Sequence, residues 1–181
     1  MKIKYVFLWL VLVVFGFTNT PEQAITGLLN NIKENKYEKA SEYIAVESEI
    51  STLEYEMNEI QKIFFDGYAK NLEYEILEET KVGNDYKFKV KIINMDLMKV
   101  MDKLFEEVVK ETTKSGKEFE NEDFDKTLSE IINSERVPKS RRTTDFTVVK
   151  TRNTYKVNLN IENLKAVFIG SDDLLKDLPN Q

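Results

Sequence analysis

The chain has 181 residues, of which 32% are charged and 41% hydrophobic, and it contains neither cysteine nor histidine. This composition is that of a globular domain rather than a disordered chain. Without cysteine and histidine the chain cannot form disulfides, Ser-His-Asp or Cys-His catalytic sites, or histidine-bound zinc or iron sites. No glycine stands in a phosphate-binding motif. We therefore expect no cofactor.

The first 20 residues differ from the rest of the chain. Lys2 and Lys4 precede an apolar run from Tyr5 to Phe17, which is the pattern of a secretory signal peptide or of a short N-terminal membrane anchor. We therefore expect export, with the remaining chain secreted or held on the extracellular face of the cell membrane. Whether residues 1–20 are cleaved or retained stays open. The excess of lysine over arginine is typical of AT-rich coding and indicates a bacterial source.

The exported part is acidic. Without Lys2 and Lys4 the 26 basic residues become 24, against 32 acidic ones, which is a net charge of −8. An acidic domain is not attracted to phosphate backbones, so we expect no nucleic-acid partner. The same charge predicts no gain from an anionic membrane surface. Contact with the membrane would come through residues 5–17 if that segment is retained.

The first part of the domain is predicted to be helical. Thr20-Pro21-Glu22-Gln23 combines an N-cap, a proline at the first helical position and a capping box. Asn35 suits the left-handed residue that ends such a helix, and a short second helix is predicted at residues 37–44. The apolar spacing that follows predicts one longer helix. Its apolar residues are Ile50, Leu53, Met57, Ile60, Phe64 and Tyr68.

From Leu72 the apolar period changes to two, which predicts strands. "LEYEI" and "YKFKVKI" flank the turn Gly83-Asn84-Asp85. One strand carries glutamates outward and the other lysines, so cross-strand ion pairs favour a hairpin. A second hairpin is predicted for residues 141–150 and 154–160, with Tyr155, Val157 and Leu159 facing inward.

Residues 96–137 are predicted to form a helical insertion between the two hairpins. Its first helix carries apolar residues over a wide arc from Leu97 to Val109, and a second helix runs from Phe124 to Ile132. A polar loop at Thr113–Asp123 would let the two fold back on each other. We expect this pair to be a lid or docking surface that is held less tightly than the sheet. A last helix is predicted at residues 164–169, before a C-terminal tail at 171–181.

Helices followed by two hairpins that flank a helical insertion predict an α+β fold over residues 21–170. The N-terminal helices would pack on a curved antiparallel sheet of about four strands. Three stretches of the chain carry a resemblance: the helix pair "PEQAITGLLNNIKENKYEKASEYI", the start of the insertion "INMDLMKVMDKLFEEV" and the last hairpin "VVKTRNTYKVNLN". They resemble the corresponding parts of small extracytoplasmic bacterial domains of the nuclear-transport-factor-2-like (cystatin-like) superfamily. These are packing motifs, so the resemblance implies a fold more than an activity. Many such domains are lipoproteins, whereas this chain has no cysteine to lipidate.

The resemblance also implies a cone-shaped cavity, in which the enzymes of that superfamily use an aspartate base and a tyrosine donor. Five tyrosines at inward-facing positions are the candidate cavity lining: Tyr37, Tyr43, Tyr68, Tyr74 and Tyr155. Asp145 is the candidate base because it lies in a strand. Its alternation with Phe146 favours an outward position, and tyrosines at this spacing are more often core residues, so we expect no enzyme.

Two polar motifs complete the candidate sites. Asn121, Asp123 and Asp125 have the spacing that opens a calcium loop, but the glycine and the bidentate glutamate of that motif are missing. An acidic helix start is therefore the favoured interpretation, and we expect no metal. The basic cluster at residues 139–142 suits a phosphate or an anionic wall polymer, although pairing with nearby acids at the start of a strand is favoured.

Three hypotheses for function follow. The leading one is a non-catalytic accessory or binding domain at the bacterial cell envelope, which binds a small apolar ligand or an envelope protein. The alternatives are an isomerase- or dehydratase-type enzyme that uses the cone cavity, and a structural module that binds a partner through the helix at residues 97–109. An open cavity with a buried carboxylate favours the enzyme, an open apolar cavity favours a ligand, and a filled core favours protein partners.

Overall fold

The computed structural model describes residues 19–49, 53, 58–116 and 121–169. The predictions for the N-terminal segment up to residue 18 and for the tail after residue 170 lie outside these residues. The helices are α1 (Pro21–Lys33), α2 (Tyr37–Ser41), α3 (Glu59–Asn71), α4 (Leu97–Ser115), α5 (Asn121–Asn133) and α6 (Ile161–Leu164), with a π-helix at Lys165–Ile169. The strands are β1 (Glu73–Val82), β2 (Asp85–Met95), β3 (Lys139–Thr151) and β4 (Thr154–Asn158).

The four strands form one antiparallel sheet in the order β1-β2-β3-β4, which confirms the predicted α+β fold. Both hairpins turn in two residues, Gly83-Asn84 and Arg152-Asn153, one residue fewer than predicted. The first residue of each turn has a positive φ, 64° for Gly83 and 56° for Arg152. Such a residue gives the turn a twist that matches the twist of the strands.

The main hydrophobic core lies between the N-terminal helices and one face of the sheet. It contains the predicted apolar face of α1 and the inward residues of β2, β3 and β4, all almost fully buried: Ile25, Leu28, Leu29, Ile32, Phe88, Val90, Ile92, Phe146, Val148 and Val157. Each large apolar side chain removed from water contributes about 1.5–3 kcal/mol. This layer therefore supplies the main force that holds helices and sheet together.

The insertion has a hydrophobic cluster of its own. α4 and α5 pack on α3 and on the last residue of β2, through Tyr68, Met95, Val100, Leu104, Leu128, Ile131 and Ile132. Phe168, in the π-helix, packs on this cluster and on the main core. The insertion is therefore built onto α3 and the far end of β2, and Phe168 connects it to the sheet.

The helix predicted to start near Ile50 begins instead at Glu59. Asn58 is extended, its side-chain oxygen accepts a hydrogen bond from the Gln61 backbone N–H at 2.9 Å, and the Gln61 side chain accepts from the Asn58 N–H at 3.0 Å. This capping box fixes the helix start although the apolar spacing continues before it. Leu53 is buried outside any helix, while Ile50 and Met57 lie outside the described residues.

The loop predicted for Thr113–Asp123 is shorter than expected. α4 continues through Ser115, and α5 begins at Asn121. Gly116 has φ 67°, and its N–H donates to the Thr112 carbonyl at 2.9 Å. A glycine in the left-handed region is a common helix end, so α4 stops one residue before it.

The outer edge of β4 is covered by residues that follow α2 and by Asn19, which precedes α1. The Val157 N–H donates to the Tyr43 carbonyl at 2.7 Å, and the Ala45 N–H donates to the Val157 carbonyl at 2.8 Å. Further along the same edge, the side chain of Asn19 makes two hydrogen bonds with the backbone of Tyr155. These contacts satisfy strand groups that would otherwise be free to pair with another chain.

Candidate functional site

The five tyrosines proposed as a cavity lining lie in different places. Tyr37 and Tyr68 are brought together by Phe65, whose ring centroid is 5.4 Å from that of Tyr37 and 6.2 Å from that of Tyr68. The Tyr37 hydroxyl lies 3.2 Å from both the Phe65 carbonyl and the Asn35 side-chain oxygen, and these two acceptors share its one proton. Tyr68 is buried and also contacts Phe168. These two tyrosines form part of an aromatic packing cluster.

Tyr43 and Tyr74 occupy separate positions against α1. The ring of Tyr43 lies so close to Gly27 that a Cβ atom there would be 2.2 Å from its Cε1. The Tyr74 hydroxyl, on β1, donates to Asn30 at 2.8 Å. Burial raises the pKa of Tyr74 above its usual value, against the opposing effect of the hydrogen bond to Asn30. Both tyrosines therefore fasten α1 to its neighbours.

Tyr155 lies at the turn end of the sheet and packs on Tyr86. Their ring centroids are 5.7 Å apart in an edge-to-face arrangement. Val157 and Leu159 are buried as predicted, whereas Tyr155 is only half-buried. It is therefore a rim residue of the main core.

The carboxylates of the described residues have structural partners or face solvent. Asp145 is exposed on the outer face of β3, opposite Lys89, so it is not the buried base that the cavity hypothesis requires. Asp96 is the buried carboxylate of the described chain, at 4% exposure. It caps α4 by accepting from the Lys99 N–H at 3.3 Å and pairs with the Lys99 ammonium at 3.2 Å. Its role is to fix the start of the insertion.

The calcium-loop interpretation of residues 121–125 is wrong because all of them belong to α5. Asp123 and Asp125, two residues apart on a helix, point to different sides and cannot converge on one ion. Within the described ranges no three acidic side chains are grouped in a way that would hold a metal.

Lys139, the first residue of the basic cluster, pairs with an acid of β1, as the favoured interpretation predicts. The Lys139 ammonium lies 2.8 Å from a carboxylate oxygen of Glu73, and this hydrogen bond lowers the pKa of Glu73. Lys91 lowers the pKa of Glu75 in the same way, with a smaller contribution from Arg141. These are exposed ion pairs of a solvated sheet face, each worth little on its own.

The outer face of α4 is the strongest candidate site. Val100 and Leu104 point into the insertion cluster, but Phe105 and Val109 are 59% and 64% exposed. One helical turn apart, these two side chains form a continuous apolar strip. They line a shallow groove together with three charged residues, Asp102, Glu106 and Lys110.

The rim of this groove is acidic. Lys110 pairs with Glu107 at 2.9 Å, an interaction that raises the pKa of Lys110. Asp102 and Glu106 have no ion-pair partner in the described part of the chain. Two carboxylates without an ion-pair partner among the described residues therefore lie beside the apolar strip. The sequence alone predicts the wide apolar arc of α4. It does not predict which side of that arc stays exposed, because this depends on where α3 and α5 pack.

Comparisons with models of protein families, with curated proteins and with solved structures gave no match. The resemblance to the nuclear-transport-factor-2-like superfamily therefore stays a prediction based on the three quoted stretches. None of the helices in the described ranges is both long enough and apolar enough to cross a membrane.

Proposed function

We propose that the protein is a non-catalytic binding domain of the bacterial cell envelope, exported through its N-terminal segment, and that it binds another envelope protein through the groove on α4. The exposure of Phe105 and Val109 carries the proposal. Single exposed apolar residues are common on protein surfaces. These two are adjacent on a helix whose other side is already buried, so together they extend the apolar arc beyond what the core uses.

The charges around the groove define the kind of partner. An amphipathic helix can lay its apolar face along an exposed strip of this type. Because Asp102 and Glu106 flank the strip, a partner with lysine or arginine beside its apolar residues gains electrostatic complementarity. We therefore propose a basic amphipathic helix as the segment that docks on α4.

A small apolar ligand in a cavity and a cavity enzyme both lack support from the tyrosines and carboxylates. Tyr37, Tyr43, Tyr74 and Tyr155 are each used in packing or hydrogen bonding at separate places. Asp145 faces solvent and Asp96 caps a helix. A small apolar ligand or a catalytic base would need those groups to converge on one space.

Binding of designed peptides tests the proposal. Two amphipathic helical peptides share one leucine stripe, and one carries lysines beside the stripe where the other carries glutamates. We expect the lysine peptide to bind more tightly. Phe105→Ala and Val109→Ala should each weaken its binding about tenfold, because buried aromatic and aliphatic anchors dominate interface energies. The matched control is Leu77→Ala, which truncates a side chain on β1 that is 47% exposed.

Equal binding of both peptides, or equal losses in all three variants, would contradict the proposal. A second test uses the native host, with a photo-cross-linking amino acid at position 105. We expect one defined protein adduct that disappears when Val109→Asp is added. An adduct unchanged by Val109→Asp would mean that the strip is not the docking surface.

A further inference from the structure

Asn19 attaches the start of the described chain to the edge of β4. Its side-chain amide donates to the Tyr155 carbonyl at 2.8 Å, and its side-chain oxygen accepts from the Tyr155 N–H at 2.7 Å. Thr18 alone separates Asn19 from Phe17, the last residue of the apolar run. Two residue steps span at most about 7 Å. If the apolar run lies in a membrane, this end of the sheet must lie at the membrane surface.

Both hairpin turns lie at this same end of the sheet. β2 starts opposite the last part of β3, with Tyr86 beside Val148, and the turn Arg152-Asn153 begins four residues further along. We call this surface the hairpin end and define it by its exposed cations and its two tyrosines: Lys81, Tyr86, Lys150, Arg152 and Tyr155. Tyr86 connects the group, because the Lys81 ammonium lies 5.7 Å from its ring centre and the Tyr155 ring packs on it edge-to-face.

The polar side-chain groups of the hairpin end have no ion-pair or hydrogen-bond partners among the described residues and can contact another surface. Lys81, Lys150 and Arg152 are exposed and have no ion-pair partner among the described residues. The hydroxyls of Tyr86 and Tyr155 likewise have no hydrogen-bond partner there, unlike those of Tyr37 and Tyr74. Half-buried tyrosines with free hydroxyls, beside free cations, are the side chains that membrane–water interfaces favour.

The net charge of −8 does not oppose such a contact. At physiological ionic strength the Debye length is about 8 Å, so only charges near the surface act on it. Around the two turns, residues 79–87 and 148–155 carry four cations and two carboxylates, those of Glu79 and Asp85. The acids Glu73 and Glu75 lie at the opposite end of β1, roughly 20 Å away at about 3.3 Å per residue. The segments around the two turns therefore carry a net positive charge, although the chain as a whole is acidic.

We propose that the hairpin end is a membrane-docking surface, which lies on the anionic lipid headgroups of the membrane that holds the N-terminal segment. The apolar run anchors the chain in the membrane, and the hydrogen bonds of Asn19 to Tyr155 hold β4 close to the end of that run. Each cation near an anionic surface should favour the docked orientation about fivefold. This inference rests on retention of residues 1–17 in the membrane and not on the partner of α4.

A fluorescence experiment on the full chain tests the orientation. The protein is reconstituted into vesicles of phosphatidylcholine and phosphatidylglycerol that contain a headgroup-spin-labelled lipid as quencher. Because the chain has no cysteine, Asn84→Cys labels the hairpin end alone, and Lys110→Cys labels α4 as the control. We expect strong quenching of a fluorophore at position 84 and little at position 110. Similar quenching at both positions would overturn the proposal.

The charge requirement has its own matched variants. Lys81→Gln, Lys150→Gln and Arg152→Gln together should lower the docked fraction relative to the undocked one more than tenfold, as should vesicles of phosphatidylcholine only. Lys62→Gln, Lys114→Gln and Lys126→Gln remove the same charge from the helices and should change nothing. Equal effects of the two triple variants would refute an electrostatic docking surface. The vesicles contain no protein partner, so failure here leaves the peptide result on α4 unaffected.

Discussion

At Gly27, helix α1 passes directly under the ring of Tyr43. A Cβ atom at this position would lie 2.2 Å from Cε1 and 2.4 Å from Cζ of that ring, distances that side chains do not tolerate. The absence of a side chain therefore lets α1 and the residues after α2 approach each other. This contact in turn places Tyr43 so that its carbonyl can accept from the Val157 N–H on β4.

We expect Gly27→Ala to lower the free energy of unfolding, although alanine in a helix is normally favoured over glycine by about 1 kcal/mol. Forcing a methyl group into a filled contact costs typically 1–3 kcal/mol, which outweighs that gain. Urea denaturation measures the difference. In a Tyr43→Ala background the overlap is gone, so Gly27→Ala should there be neutral or stabilising. The same loss in both backgrounds would show that the ring is not the cause.

Single residues with local partners were predictable, and those with distant partners were not. Thr20 and Gln23 form the capping box that their spacing indicates, and Asn35 has the positive φ expected of it. Asn19 and Tyr155 are 136 residues apart, and nothing in either local sequence indicates their contact. The grouping of cations at the hairpin end is unpredictable for the same reason, because Lys81 and Arg152 come from separate hairpins.

At the scale of elements, the strands were easier to predict than the helix ends. Alternation and opposite charges define the first hairpin, where Glu78 pairs with Lys89 at 3.2 Å and Glu75 pairs with Lys91. The register shift at Leu77 has no such signal. The Asn58–Gln61 capping box indicates the start of α3, but the apolar spacing before it predicts an earlier start.

Close packing on α3 and contact with Phe168 help to join the insertion to the rest of the fold. A Cβ at Gly67 would lie 2.5 Å from Cγ2 of Ile132, so α3 and α5 approach closely there. Asn94, buried at the end of β2, donates to the Val167 carbonyl at 2.7 Å and so holds the π-helix against the sheet. That contact places Phe168 between the two hydrophobic clusters.

We expect the insertion to open more often than the sheet. Its helices share one small cluster, whereas β2 and β3 pair along ten residues over the main core. Hydrogen exchange should therefore be faster for amides of residues 97–135 than for those of 86–93 and 154–160. Gly67→Ala should widen this difference by disturbing only the α3–α5 contact. Equal protection throughout would make the insertion an ordinary part of the core.

At the scale of the whole molecule, the two candidate surfaces, the hairpin end and the groove on α4, lie towards opposite ends of β2. It starts at the hairpin end and its last residue packs in the insertion cluster. Eleven residues of strand span roughly 35 Å. A domain that rests on the membrane by its hairpin end would therefore hold α4 well above the lipid, where an envelope protein can reach it.

That arrangement requires export, which a pair of reporters can test. We expect an enzyme that is active only outside the cytoplasm to be active when fused after Gln181, and a cytoplasm-only reporter at the same position to be inactive, because Lys2 and Lys4 stay on the cytoplasmic side. Leu12→Arg with Val14→Arg should reverse both results, since two charges in the apolar run oppose insertion. Activity of the cytoplasmic reporter on the unaltered chain would rule out an envelope function.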